Sequence, residues 1–179
     1  MHQRQTDPRR LDVAAVATAG MQLGGRWPLA GFARLVDGPG QDGEVPWSVR
    51  GERRGVPGGE PEIWLHLNAH AHLWRDCQRC LQPVALDLVV ARALRFVADE
   101  ATAEALDAET EDDVLAMPRS LDLHALVEDE LLLALPLVPM HVRCPVTPSM
   151  SAGFGPELAT DSAAPKPFAV LARMKQRPG

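Results

Sequence analysis

The chain has 179 residues, 46% of them apolar, which suffices to bury one sizeable core and favours one domain over two. Glycine and proline exceed the ordinary share of about 12% without reaching low-complexity values, so a folded domain with long loops is expected. No apolar run approaches the roughly 18–20 residues of a membrane span, and none follows the basic amino terminus as a secretory signal would require. Three cysteines are too few, and odd in number, for a disulfide framework, which implies a reducing, cytoplasmic location.

The formal charge of −6 argues against an all-round basic coat, yet the charge is unevenly spread. Residues 96–130 hold twelve carboxylates and one arginine, a local net of −11 that leaves +5 for the rest. Positive charge gathers in the first ten residues, around Arg50–Arg54, and in the tail from Lys166 to Arg177. Four tryptophans, four phenylalanines and no tyrosine are a thin supply for a sheet that stacks RNA bases. A phosphate-binding patch remains compatible with the composition.

In chain order, Leu11 to Thr18 is a short apolar segment whose state the pattern does not decide. Leu29–Val36 and Pro46–Arg50 read as strands either side of a turn-rich stretch, and GERRGVPGGEP reads as a loop. From Glu62 the pattern sharpens. Ile63, Leu65, Leu67, Ala69, Ala71 and Leu73 alternate with Trp64, His66, Asn68, His70, His72 and Trp74, as in a half-buried strand with a polar, histidine-bearing outer face. A second long run, Val84 to Val97, places the intervening Cys77-Gln-Arg-Cys80 at the hairpin between two antiparallel strands. Glu100–Asp107 suggests a short acidic helix, followed by an acidic connection as far as Met117.

The main helix is expected over 122–135, capped by Ser120 or Asp122 and stopped by Pro136. Leu123, Leu126, Val127, Leu133 and Ala134 share one face, with Glu128 and Asp129 outside it and Glu130 near its centre. A carboxylate there must pair, be protonated, or serve as the polar contact of a binding groove. Pairing with Arg79 or Arg143 is the expectation. Residues 145–165 read as a flexible linker, and 166–179 as a basic amphipathic tail. Phe168 and Leu171 in that tail could form a docking face or close back on the domain.

Cys77, Cys80, His141 and Cys144 could complete a tetrahedral Cys3His metal site, with zinc as the cofactor. The alternative is three reduced cysteines in an ordinary hairpin with His141 solvated. Redox catalysis fits poorly, because Pro83 and a strand follow where a helix amino terminus would be needed to activate the thiols. His66, His70 and His72 lack an interleaved carboxylate to orient them and read as a solvated face. The acidic cluster 109–113 reads as a surface charge run, and no nucleophile elbow or phosphate-cradling glycine loop occurs. No enzyme is expected. Arg50, Arg53, Arg54, Arg173, Lys175 and Arg177 are the candidates for RNA phosphates, or else merely solvated charges.

Three segments resemble the YceD family of large-ribosomal-RNA-subunit accumulation proteins: DCQRCLQPV at 76–84, LDLHALVEDELLLALPLVPMH at 121–141, and KPFAVLARMK at 166–175. Weaker similarity lies at GFARLV, 31–36. The resemblance implies a non-enzymatic role in synthesis, processing or stability of 23S ribosomal RNA, with that RNA or ribosomal assembly proteins as partners and neither membrane nor small-molecule substrate. Other branches of the family carry further cysteines beyond the position of Cys144, resembling a zinc ribbon; here His141 would have to replace them. The alternatives are an adaptor for a ribosomal protein or processing enzyme, and a metal-dependent RNA-processing enzyme. The expected fold is α+β: residues 1–144 as one domain, with an antiparallel, barrel-like sheet packed on one main helix, ahead of the flexible tail.

Overall fold

Alternating apolar residues organise the centre of the protein. In the computed structural model, which describes residues 7–36 and 42–146, the two long runs form β3 (Glu62–Asp76) and β4 (Pro83–Val97). They pair antiparallel from Ile63↔Phe96 to Asp76↔Pro83. Leu65, Leu67, Ala69, Ala71 and Leu73 are buried on one face, as period two requires. Before them come α1 (Val13–Thr18), β1 (Gln22–Pro28) and β2 (Glu44–Arg54). After them come α2 (Glu100–Asp107), β5 (Asp113–Ala116) and α3 (Leu123–Leu133).

The class is α+β, with a five-stranded sheet in the order β1-β2-β3-β4-β5. It is mostly antiparallel, but β5 runs parallel to β4 after the α2 crossover. The sheet is open rather than barrel-like. Closure would require β1 to pair with β5; β5 has four residues, and both strands end the sheet at its edges.

Two segments differ from the sequence reading. Leu29–Val36 is not a strand: Leu29–Gly31 forms a 3-10 turn and the chain stays irregular to Val36. Leu29, Phe32 and Leu35 recur every third residue and are all buried, a spacing a turn can deliver to one side and a strand cannot. The β2 strand continues through Gly51–Arg54, which composition assigns to a loop. Gly51 belongs in that strand for lack of a side chain: a Cβ there would sit 2.5 Å from the Val16 carbonyl oxygen of α1. The undecided Leu11–Thr18 resolves into a bridge, Leu11 to Leu121, and α1, capped by the Asp12 carboxylate.

The core lies between the inner sheet face and the layer formed by α1, Leu29–Leu35 and α3. Asp122 caps α3, its carboxylate accepting from the His124 and Ala125 N–H groups. Leu123, Val127 and Leu131 of that helix are fully buried. Truncating such a residue to alanine typically costs 2–5 kcal/mol, so this contact dominates the attachment of α3.

Candidate metal centre and charged sites

The knuckle between β3 and β4 is a tight backbone turn. The Cys77 N–H donates to the Gln82 carbonyl at 2.9 Å, and the Leu81 N–H to the Cys77 carbonyl at 2.8 Å. Leu81 holds φ at 58°, the left-handed conformation that glycine adopts more readily. The second half follows α3, where Pro136 halts the helix. There the Gln78 N–H donates to the Pro139 carbonyl at 2.9 Å, laying 139–144 against the knuckle. Arg79 fastens the halves a second time, through Nε to Cys144 Sγ at 3.0 Å and its terminal NH2 to the His141 carbonyl at 2.7 Å.

These contacts bring Cys77, Cys80, His141 and Cys144 together, their ligand atoms all within 4.8 Å of one another. A tetrahedral zinc with bonds of the usual length separates two sulfurs by about 3.8 Å and a sulfur from a nitrogen by about 3.6 Å. Cys77 and Cys144 Sγ are 3.9 Å apart, and Cys80 Sγ lies 3.5 Å from His141 Nδ1. His141 Nε2 is 3.0 Å from the Pro83 carbonyl. A carbonyl only accepts, so Nε2 carries the proton and Nδ1 presents its lone pair to the thiols, as a metal-bound histidine must. The group can hold a metal.

Burial pushes the Cys77 thiol up, but N–H groups of His141, Arg79 and Cys80 and the His141 side chain outweigh it and lower the pKa to about 5. Burial and the neighbouring thiols raise Cys80. The sulfur of Cys144, followed by the other two cysteines, holds the Arg79 guanidinium above its ordinary value. Arg79 therefore braces Cys144 rather than binding Glu130. Pairing of Glu130 with Arg79 or Arg143 does not occur: Glu130 bonds Arg92 Nε at 3.0 Å, because Arg92 projects from β4 toward α3.

The buried face of α3 is turned toward His124 and Glu128, and Leu133 is exposed. Glu128 and Glu130 are about equally buried, their side chains 11% and 12% exposed. Glu128 accepts from the Arg34 N–H at 2.8 Å and from Arg34 Nε at 3.1 Å. Burial opposes its ionisation, yet these bonds from Arg34 hold its pKa below the ordinary value. His124 stacks on Phe32 with ring centres 4.3 Å apart and planes 9° apart. Both partners come from Phe32–Arg34, distant in sequence, so a helical wheel drawn on α3 alone misses them. The only local signal is GFARLV, where buried residues flank a single arginine.

Arg50 and Arg54 share the outer face of β2 with Glu52, which pairs with both, at 3.5 and 3.3 Å. Arg54 also lies 4.5 Å over the Trp64 ring. Arg53 alternates to the other side of the strand and is exposed. Carboxylates do orient the histidine row, supplied by neighbouring strands: Glu52 is 2.7 Å from His66 Nε2, and Asp87 is 2.7 Å from His72 Nδ1. Residues 109 and 111–113 are exposed, while Thr110 is half-buried. Arg173, Lys175, Arg177, Phe168 and Leu171 lie outside the described residues, as do 1–6, 37–41 and 147–165.

Fold and site together define an α+β protein whose hairpin knuckle and post-helix segment form a Cys3His clasp. The family model described as "Large ribosomal RNA subunit accumulation protein YceD" matches residues 65–175, and the chain belongs to this family. It is similar to the large ribosomal RNA subunit accumulation protein YceD of Haemophilus influenzae, 38% identical over 104 residues. That alignment covers 57% of this chain and 59% of the relative, so the chain spans less than two thirds of the relative's length. No solved structure matches.

Proposed function

We propose that this protein supports accumulation of 23S ribosomal RNA as a non-enzymatic assembly factor in the cytoplasm, with zinc in the Cys3His clasp. The observation that carries the reading is the family match, which runs from β3 through the clasp and α3 into the tail. Four protein ligands would leave a bound zinc no open position, which suits a structural metal rather than a catalytic one. Bound there, zinc supplies a cross-link; Arg79 orients Cys144, and Pro83 orients His141. Among the described residues, no helix is long and apolar enough to cross a membrane.

Depleting the protein in its native cell and quantifying 23S against 16S RNA tests the reading. A selective fall in 23S is expected; unchanged levels contradict it. A second reading, an adaptor that acts on the RNA through a protein, draws on Glu52, which offsets the charge of Arg50 and Arg54. Crosslinking in cells followed by sequencing of attached RNA separates direct contact from the adaptor role.

A further inference from the structure

We propose that the clasp carries a protein-docking surface for an apolar segment flanked by carboxylates. Of eleven exposed large apolar residues among the described residues, seven belong to the knuckle or to 133–146. Leu137 and Val142 are 102% and 98% exposed, and Leu81, Val138 and Met140 accompany them. Their two segments are hydrogen-bonded to each other through Gln78, Arg79, Pro139 and His141, so the exposed residues stand on two adjoining stretches of backbone. Apolar exposure gathered in this way marks an interaction surface, whereas isolated exposed leucines are ordinary.

Leu81 adds a second observation. It keeps the left-handed backbone conformation at φ 58° while its side chain points into solvent, 72% exposed. A bulky residue at such a position gains nothing from the core of its own domain. Strained positions of this kind cluster where a side chain serves a function.

The occupant follows from the chemistry of the surface. Among 77–86 and 131–146 the cationic side chains are Arg79 and Arg143, with Asp76, Asp87 and Glu130 standing just outside these segments. Arg79 is engaged with Cys144 and His141, and Arg143 is exposed. Among the described residues, Arg143 is thus the one unengaged cation beside the exposed apolar residues of the clasp, complementary to an Asp or Glu beside hydrophobic residues. Leucine, valine and methionine offer no ring faces for base stacking, and the His141 ring is held between Cys80 and Pro83, which weighs against RNA. A second copy meeting the same surface across a two-fold axis would set arginine against arginine.

The test pans a phage-displayed library of random peptides on the full chain and on the Leu137→Asp/Val142→Asp double variant. Peptides selected by the wild type alone are expected to combine Leu, Ile, Met or Phe with Asp or Glu. The best of them, made synthetically, should bind at least about tenfold more weakly to Val142→Asp, as loss of an anchoring contact does. Arg143→Glu should weaken it too. The proposal is overturned if no peptide prefers the wild type, or if the selected peptides are rich in Lys and Arg. It is also overturned if the double variant melts at lower temperature, because the protein's own residues then already cover the surface. A wild-type dimer made monomeric by these substitutions would assign the surface to a second copy, and binding of a synthetic oligoribonucleotide lost in Val142→Asp would assign it to RNA. Peptide binding and 23S levels are separate readouts, so failure here leaves the ribosomal RNA reading standing on its own test.

Discussion

The interior beneath the sheet and the clasp beside it are held by opposite means. In the interior, Leu65, Leu67, Phe32, Val127 and Leu131 are almost wholly removed from water, and the burial of each side chain secures its neighbours. In the clasp only Cys77 is fully buried, the surrounding aliphatic residues face solvent, and a few hydrogen bonds join the two halves. Polar contacts in the first region fine-tune packing that is already strong. In the second they are most of what the protein itself provides, so a metal has most to add there.

Substituting Gly51 tests the interior most severely. Alanine would drive a Cβ against the Val16 backbone, so α1 must move off β2; a loss of about 2–3 kcal/mol is expected in denaturant unfolding. Unchanged stability would show that α1 is not seated as described. The clasp should respond to Arg79→Met instead, with zinc affinity falling about 10–100-fold in chelator competition while the sheet unfolds as before. Equal affinity would reduce Arg79 to a bystander.

The two carboxylates of α3 sharpen the contrast further. Glu128→Gln removes a buried, charged acceptor and should cost about 1–2 kcal/mol. Glu130→Gln, whose equally buried carboxylate holds Arg92 but accepts no backbone N–H, should cost less, about 1 kcal/mol. The reverse order would restore the helical phase read from sequence. The smallest effect is expected from pH. Burial, then Arg9, lowers the His124 pKa below 6.5, so the unfolded chain takes up the proton first and stability declines as pH falls through 6.5 toward the folded value. Glu128 adds a later loss, which begins as pH falls below about 4.5 and is complete below its folded pKa. Thermal melts of wild type and His124→Phe should diverge as pH falls below 6.5; parallel curves would contradict the assignment.

Legibility in the sequence followed the reach of each interaction. The alternation of β3, its antiparallel hairpin with β4, the Asp122 cap and the Glu100–Asp107 helix all depend on neighbours within one or two elements, and each is readable along the chain. The C-x-x-C and H-x-x-C pairs were each visible, but only the fold shows that they meet, through Arg79 and Pro139. The helical phase alone turns Glu128 toward solvent, because its partner is Arg34, ninety-four positions away. The histidine row looked unsupported because its carboxylates sit across strand pairings rather than along β3. The four-residue β5 was hidden by its acidic surroundings and its parallel pairing after a helix.

Metal content tests the account of the clasp most directly. Full chain purified without chelator, analysed by elemental mass spectrometry, is expected to carry close to one zinc per molecule, and Cys144→Ser much less. Removing the metal should speed hydrogen exchange in 77–82 and 136–146 while β3, β4 and α3 keep their protection. Protein that is free of metal as purified, binds no added zinc, and shows the same exchange pattern with and without chelator would contradict it.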